Sequence, residues 1–328
     1  MNRPARWLKT CFGVWPVAHQ AGAAIRASPS AGGRLAAVRG LAGLLVLTAL
    51  AGLTSCTTPD PVTGRGSYNL YTLADDAKLG RSAMDQNMQE MRKAGVSINA
   101  DPARVAQLQE MLRRLGAVTH YPQMPYTVTL YQTNIVNAAA LPGGPMMVFA
   151  GLYNPTNGLV RDEDELAAVL GHELAHVNCR HTTRRLSVLM SASFFAEVGV
   201  ALLEQKNQQG WSQALQAAFM AGTALWIPTY SRKDEFQADA VGLLYMARAG
   251  YDPRAAPRIW QRAAAQDRKQ AAGTGLSFFA SHPADKDRYA ALQKQLPAAL
   301  EIYERVRGGQ PPDRVSGDPA PAPRKPVM

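Results

Sequence analysis

The stretch VLGHELAHVNCRH, residues 169–181, constrains the chain more than any other segment, because it sets four potential metal or proton ligands, His172, Glu173, His176 and His181, within ten residues. On an α-helix, positions i and i+4 lie about 40° apart around the axis and one turn along it, so His172 and His176 point side by side. Two imidazoles so placed can share one tetrahedral Zn²⁺. Glu173, rotated about 100° from His172, stays off the metal yet close to a water on the open position, where a general base is needed. His181, nine residues beyond His172, falls about 180° away on a continuous helix and is rejected as a ligand. A helix that merely carries two surface histidines is the competing reading.

The flanks specify that helix. Asp162 and Glu165 have the spacing of a capping box, the first turn is acidic (Asp162, Glu163, Asp164), and Arg180, Arg184 and Arg185 sit near the far end, where cations are favoured. Helical spacing of Leu, Met and Val marks residues 74–94 and 101–117, the second opening with Asp101-Pro102, an N-cap followed by proline. The alternating YTVTLYQT (126–133) and the apolar MMVFAGLY (146–153) read as strands of a small sheet.

A third ligand is sought downstream. In SRKDEFQADAVG, Ser231 and Asp234 start a capped helix running to Gly250, with Asp252-Pro253 opening the next, and that helix carries Glu235 and Asp239 four residues apart. A Glu-x-x-x-Asp pair on a second helix resembles the gluzincin arrangement, in which the Glu completes a zinc site and the Asp orients the first histidine. The bland alternative is an exposed acidic pair. His120, in THYPQMP, reads as a surface polar residue with no partner. His282, before Pro283 at the mouth of a helix, is open between a loop or capping histidine and an outer ligand or transition-state donor.

The net charge of +10 raises the question of a nucleic-acid partner. Six basic residues (Arg3, Arg6, Lys9, Arg26, Arg34, Arg39) precede the first acid, Asp60, and beyond them 29 basic residues face 25 acidic ones. The basicity belongs to a leader, and no basic stripe with interleaved aromatics supports nucleic-acid binding. Within that leader, LAGLLVLTALAGL (41–53) is too short to span a bilayer and fits a secretory h-region. Leu53-Thr54-Ser55-Cys56 follows it and resembles a bacterial lipobox, so Cys56 is the expected lipidation site and anchor. An arginine-rich leader also suits a mitochondrial transit peptide, though the compact apolar run fits that poorly. The leader is long, and a start near Leu35 or Val38 would leave an ordinary signal. Thr57 after the cysteine, in place of Asp, points to the outer membrane.

The expected organisation is a signal peptide over 1–55, a tether over 56–67, a catalytic domain over 68–305 and a Pro-rich disordered tail over 306–328. Residues 186–203 and 214–227 are apolar enough to raise a membrane span, but Glu197 and the small polar residues favour buried core helices. With Cys11 in the leader and Cys56 lipidated, Cys179 has no disulfide partner.

Five strings together resemble peptidase family M48, the family of the CAAX prenyl proteases: PVTGR (61–65), NAAALPGG (137–144), HELAH, YSRKDEFQADAVGLLYMARAGYDP (230–253) and HPADKDRYAAL (282–292). The soluble, lipid-anchored periplasmic branch is the most similar. The resemblance implies an α+β, mainly helical gluzincin-type zinc metallopeptidase, with active-site helices packed on a small β-sheet. It implies one Zn²⁺ per chain held by His172, His176 and Glu235, Glu173 as base, Asp239 behind the ligands, and His282 as a displaceable fourth ligand or switch. Substrate backbone is expected to pair with an edge strand at Asn137, Ala138, Ala139, Ala140 and Leu141. The implied substrates are unfolded or misassembled envelope proteins, with a latched chaperone or assembly factor for outer-membrane proteins as the rival from another class.

Overall fold

The computed structural model describes residues 57–60, 62–204, 230–270, 278, 282 and 286–312. Cys56, the leader before it, the 214–227 stretch and the end of the tail lie outside the described residues. The described chain is mainly helical with a small mixed sheet, as expected. A hairpin of β1 (Thr57–Pro59) and β2 (Gly66–Tyr68) leads into α1 (Leu73–Lys93) and α2 (Pro102–Gly116). Next come β3 (Thr127–Tyr131), β4 (Ala138–Ala140), β5 (Pro145–Phe149) and a short 3₁₀ turn over Ala150–Tyr153, where the sequence suggested continued strand. Then follow α3 (Glu163–Asn178), α4 (His181–Glu204), α5 (Arg232–Arg248), α6 (Ala255–Gln270) and α7 (Lys286–Arg307).

The larger sheet has the order β3-β5-β4, with β5 parallel to β3 and antiparallel to β4. β5 is buried at all five positions, which is why its sequence is an unbroken apolar run. Side chains alternate between faces along a strand. Met146 and Val148 accordingly join the main core with α2, α3 and α5, while Met147 and Phe149 pack with Tyr131 against Met84 and Met91 of α1. The turn Leu141–Gly144 between β4 and β5 needs glycine: Gly143 has φ +75°, and a Cβ there would stand 2.3 Å from the Ala77 Cα. β4 is thus an edge strand clamped at one end against α1.

Helix starts follow the local signals. Asp101 and Asp162 cap α2 and α3, and Ser231 with Asp234 forms a complete capping box on α5. At α3 the reciprocal half differs from expectation, because Glu165 Oε2 accepts from Arg161 N–H instead of the N-cap residue. Three further departures matter. The helix carrying HELAH does not continue through the arginines: it ends at Asn178, Arg180 takes the left-handed region (φ +54°), and α4 starts in a new direction at His181. The described residues of the expected tether, 57–60 and 62–68, form a hairpin packed on α4, with Asp60 N–H and C=O closing a turn with Arg65 and Gly64. The early turns of α4 do not form a core helix either: Ser187 is buried while Val188 and Met190 are 45% and 53% exposed. Among the described residues no helix is long and apolar enough to cross a membrane.

The contact that assembles the rest is between α3 and α5. A Cβ on Gly242 would meet His172 N at 2.8 Å and His172 Cα at 2.9 Å, and one on Gly171 would meet Gly242 O at 3.0 Å. Two glycines therefore let the helices touch backbone to backbone beside His172. Alanine at an exposed helical position would gain about 1 kcal/mol of helix propensity over glycine, but overpacking costs about 1–3 kcal/mol. Gly242→Ala is expected to destabilise the protein on balance, read as a lower urea midpoint at unchanged m-value.

Candidate metal centre

The second half of α3 is buried throughout, and with it His172, Glu173 and His176, each 2% exposed or less. The surface-histidine reading therefore fails. Glu235 and Asp239 on α5 are 2% and 4% exposed, so the exposed acidic pair fails too. Four side chains, His172, His176, Glu235 and His282, converge with one ligand atom each, all within 4.8 Å of one another.

Their spacing suits a tetrahedral ion. His172 Nε2 lies 3.1 Å from His176 Nε2 and 3.2 Å from His282 Nδ1. Glu235 Oε1 lies 3.0 Å from His282 Nδ1 and 3.5 Å from His176 Nε2, and Oε2 lies 3.5 Å from His172 Nε2. Ligands at zinc–nitrogen distances of about 2.0–2.1 Å in a tetrahedron stand about 3.3 Å apart. The three imidazoles and one carboxylate present thus fit Zn²⁺ in both donor chemistry and separation.

The surroundings orient these groups. Asp239 Oδ1 faces His172 Nδ1 at 3.0 Å, although the alignment falls short of a formed hydrogen bond. Arg288 on α7, itself fully buried, grips Asp239 through Nε (2.7 Å) and Nη2 (2.8 Å) and reaches Glu235 Oε2 through Nη1 (2.7 Å). Its guanidinium also lies 4.5 Å from the centre of the Trp260 ring, which meets His172 edge-on. Tyr230 stacks on His176 at 3.8 Å, and Phe278 stacks on His282 at 4.6 Å. Glu173 is held from two sides. Ala140 N–H donates to Oε2 (3.0 Å), and His282 Nε2 stands 3.2 Å from Oε1.

Burial and charge compete within this cluster. Burial disfavours charge on His282, but Glu235 and Glu173 outweigh it and push its pKa up to about 10. Burial prevails at His176, held well below the ordinary histidine value. It would raise the carboxyls of Asp239 and Glu235, yet Arg288 holds Asp239 below the usual range, and His282 with His172 does so for Glu235.

The structure thus brings together every residue the sequence put forward for the centre, and sets the Ala138–Ala140 edge beside Glu173. His282 belongs to the cluster and is not a mere loop histidine. Arg288, Tyr230, Phe278 and Trp260 were not foreseen. Arg288 follows His282 by six residues in HPADKDR, but a single arginine near a helix start looks like any solvated cation. Two histidines sit where the sequence did not put them. His120 is half-buried and bonded through Nδ1 to the Tyr245 hydroxyl, away from the centre. His181 is fully buried, its Nδ1 2.9 Å from His176 Nδ1, on the side of that ring away from the other ligands.

Comparison with known proteins agrees with this geometry. The profile described as "Peptidase family M48" matches residues 102–296. A mitochondrial metalloendopeptidase, OMA1, of Schizosaccharomyces pombe is 28% identical over 239 residues, covering 73% of this chain and 66% of the relative. OMA1 of Saccharomyces cerevisiae is 32% identical over 52% of this chain and 46% of the relative. A beta-barrel assembly-enhancing protease of Yersinia pestis is 29% identical over 64% of this chain and 41% of the relative. The chain spans about half the length of the curated relatives it matches.

The Arg288 contacts carry a stability prediction with a definite sign. A carboxyl whose folded pKa is depressed adds stability that is present above its ordinary pKa of about 4 and lost as pH falls through the lowered value. Arg288→Met leaves two buried carboxylates without their cation and is expected to cost about 3–5 kcal/mol. It should also move the acid-unfolding midpoint, followed by circular dichroism, to higher pH.

Proposed function

Since the chain belongs to peptidase family M48, we propose that it is a zinc-dependent metalloendopeptidase acting on unfolded or misassembled proteins of the cell envelope. The observation that carries this reading is the convergence of His172, His176 and Glu235, all buried, with Glu173 directly beside them. In the proposed roles those three hold the ion, Asp239 orients His172, and Glu173 is the general base. A bound Zn²⁺ supplies Lewis acidity, activating a water and polarising the scissile carbonyl. Glu173 accepts the proton of the attacking water through the carboxylate that now faces Ala140 N–H and His282, and returns it to the leaving amine.

Edge strand β4 supports the substrate class. Leu141 N–H and Asn137 C=O pair with β5, so the polar groups of Ala138 and Ala140 point away from the sheet. Ala138 N–H is taken by the Asn137 side chain and Ala140 N–H by Glu173, so the carbonyls of these two buried residues are the groups an added strand would pair with once it displaces what covers them. Strand addition reads backbone more than side chains and therefore favours extended, unfolded segments. The Yersinia pestis relative is named for β-barrel assembly, and on that likeness the outer-membrane assembly machinery is the proposed partner. We place the enzyme in the periplasm, held by lipid at Cys56, with the transit-peptide leader of a mitochondrial enzyme as the competing case.

A second reading is favoured by His282. Its imidazole lies between Glu235 and Glu173, so the resting site is closed, as suits an assembly factor in which cleavage is rare.

Purified variants separate these readings. Glu173→Gln is expected to keep one zinc per chain while losing casein cleavage by about 10²–10⁴-fold, and Glu235→Gln to lose zinc. His282→Ala should raise casein cleavage if the histidine is a latch; a fall would place it among the essential groups. Full complementation of a deletion strain by Glu173→Gln would sink proteolysis as the main role. Mass spectrometry of the mature N-terminus should find acylated Cys56, whereas a cleaved leader without lipid would favour the mitochondrial alternative.

A further inference from the structure

The buried histidine that the cluster leaves unused is His181. On one continuous helix it would face away from His176, but the break at Arg180 swings it round until the two Nδ1 atoms are 2.9 Å apart. Arg180 adopts a left-handed backbone that costs a non-glycine residue about 1–3 kcal/mol, and its side chain is clamped by Asp76 and by the Tyr71 carbonyl. Strain maintained by a dedicated ion pair beside the centre points to a use for the bend.

We propose that His181 is a positioning residue that fixes the proton of His176 on Nδ1 and thereby keeps the Nε2 lone pair turned toward the metal. The proton assignment follows from a chain that starts at Asp60, whose carboxylate only accepts. Oδ1 receives Val62 N–H and Thr63 N–H at 2.9 and 3.0 Å, and Oδ2 receives Gln237 Nε2 at 3.2 Å and Arg184 Nη1 at 3.4 Å. Gln237 therefore presents its amide NH₂ to Asp60 and its Oε1 to His181 Nε2, 3.2 Å away. Nε2 must donate there, and a neutral imidazole has one N–H, so His181 Nδ1 accepts. The atom facing it, His176 Nδ1, is then the donor. His176 Nε2 is left unprotonated toward Glu235 and His172, the tautomer a metal ligand needs. Were the chain reversed, His181 would donate to His176 Nδ1 and drive the proton onto Nε2, where it would block coordination. The same chain ties the centre to the β1–β2 hairpin, since Asp60 closes its turn.

This inference rests on the reading of His176 as a zinc ligand, and the test keeps the two apart. The full-length chain is titrated with zinc against a chromogenic chelator, and the visible spectrum of the Co²⁺-substituted protein reports ligand geometry. His181→Leu removes the acceptor and is expected to weaken zinc binding by about 10–100-fold and perturb the Co²⁺ bands. His181→Asn places an amide oxygen where Nδ1 stood and is expected to restore both. A folded His181→Leu that binds zinc like wild type overturns the proposal, and so does an Asn variant as weak as the Leu variant, which would leave His181 a filler of space. Should circular dichroism show His181→Leu unfolded, Gln237→Leu at a half-buried position replaces it, and wild-type affinity there overturns the proposal equally. Wild type without zinc would instead sink the zinc reading itself.

Discussion

Everything at the centre depends on how closely α3 and α5 approach. Two helices carrying ordinary side chains at their crossing keep their axes about 8–10 Å apart. Here Gly171 and Gly242 meet backbone to backbone immediately beside His172. Without that approach Glu235 could not stand 3.5 Å from both His172 Nε2 and His176 Nε2, because a glutamate reaches only a few ångströms beyond its own helix. Glycine weakens a helix interior by about 1 kcal/mol. Both helices offset that locally with well-formed N-caps, at Asp162 and at the Ser231–Asp234 box.

Close approach also concentrates charge in a dry interior. Glu173, Glu235 and Asp239 are all buried, and desolvation of such carboxylates opposes folding. Arg288 answers two of them at once, and His282 stands between Glu235 and Glu173. Arginine suits the first task because its planar fork serves one carboxylate bidentately and still has a third nitrogen for another. The cation reaches the site from α7, and His282 from just before it, so the C-terminal part of the domain closes a centre whose motif lies on α3 and α5.

What the sequence revealed follows from the range of each signal. The HELAH register, the Glu235–Asp239 spacing and the N-caps depend on neighbours within one helix, and each lies where it was read except the Glu165 half of the α3 capping box, which turns to Arg161 N–H. Where the reading needed two distant segments it fell short. The spacing of His181 was right for an unbroken helix, but nothing in NCRHT announces that an arginine will take the left-handed region, since the Asp76 carboxylate that holds it is 104 residues away. Arg288 and the Gly171–Gly242 pair escaped for the same reason: their meaning lies in a partner on another helix. The apolar run from 186 misled differently. Its first turns bury Thr183 and Ser187 against Asn69 through hydrogen bonds and turn Val188 and Met190 outward, so composition gave the wrong face.

The edge strand joins these themes to the proposed chemistry. Glu173 is poised against β4, with one oxygen on Ala140 N–H and the other facing His282. A peptide strand adding to β4 must approach the outward face of Ala140, the same face that holds the base. Binding of extended backbone and release of the base therefore act on one small region, where displacement of His282 would free the second oxygen. On the proposed roles a segment that pairs well with β4 and expels His282 both positions its own carbonyl and uncovers the carboxylate that must take the proton. A segment too folded to add as a strand does neither. On those proposed roles, selectivity for unfolded chains would arise from the contacts that restrain Glu173.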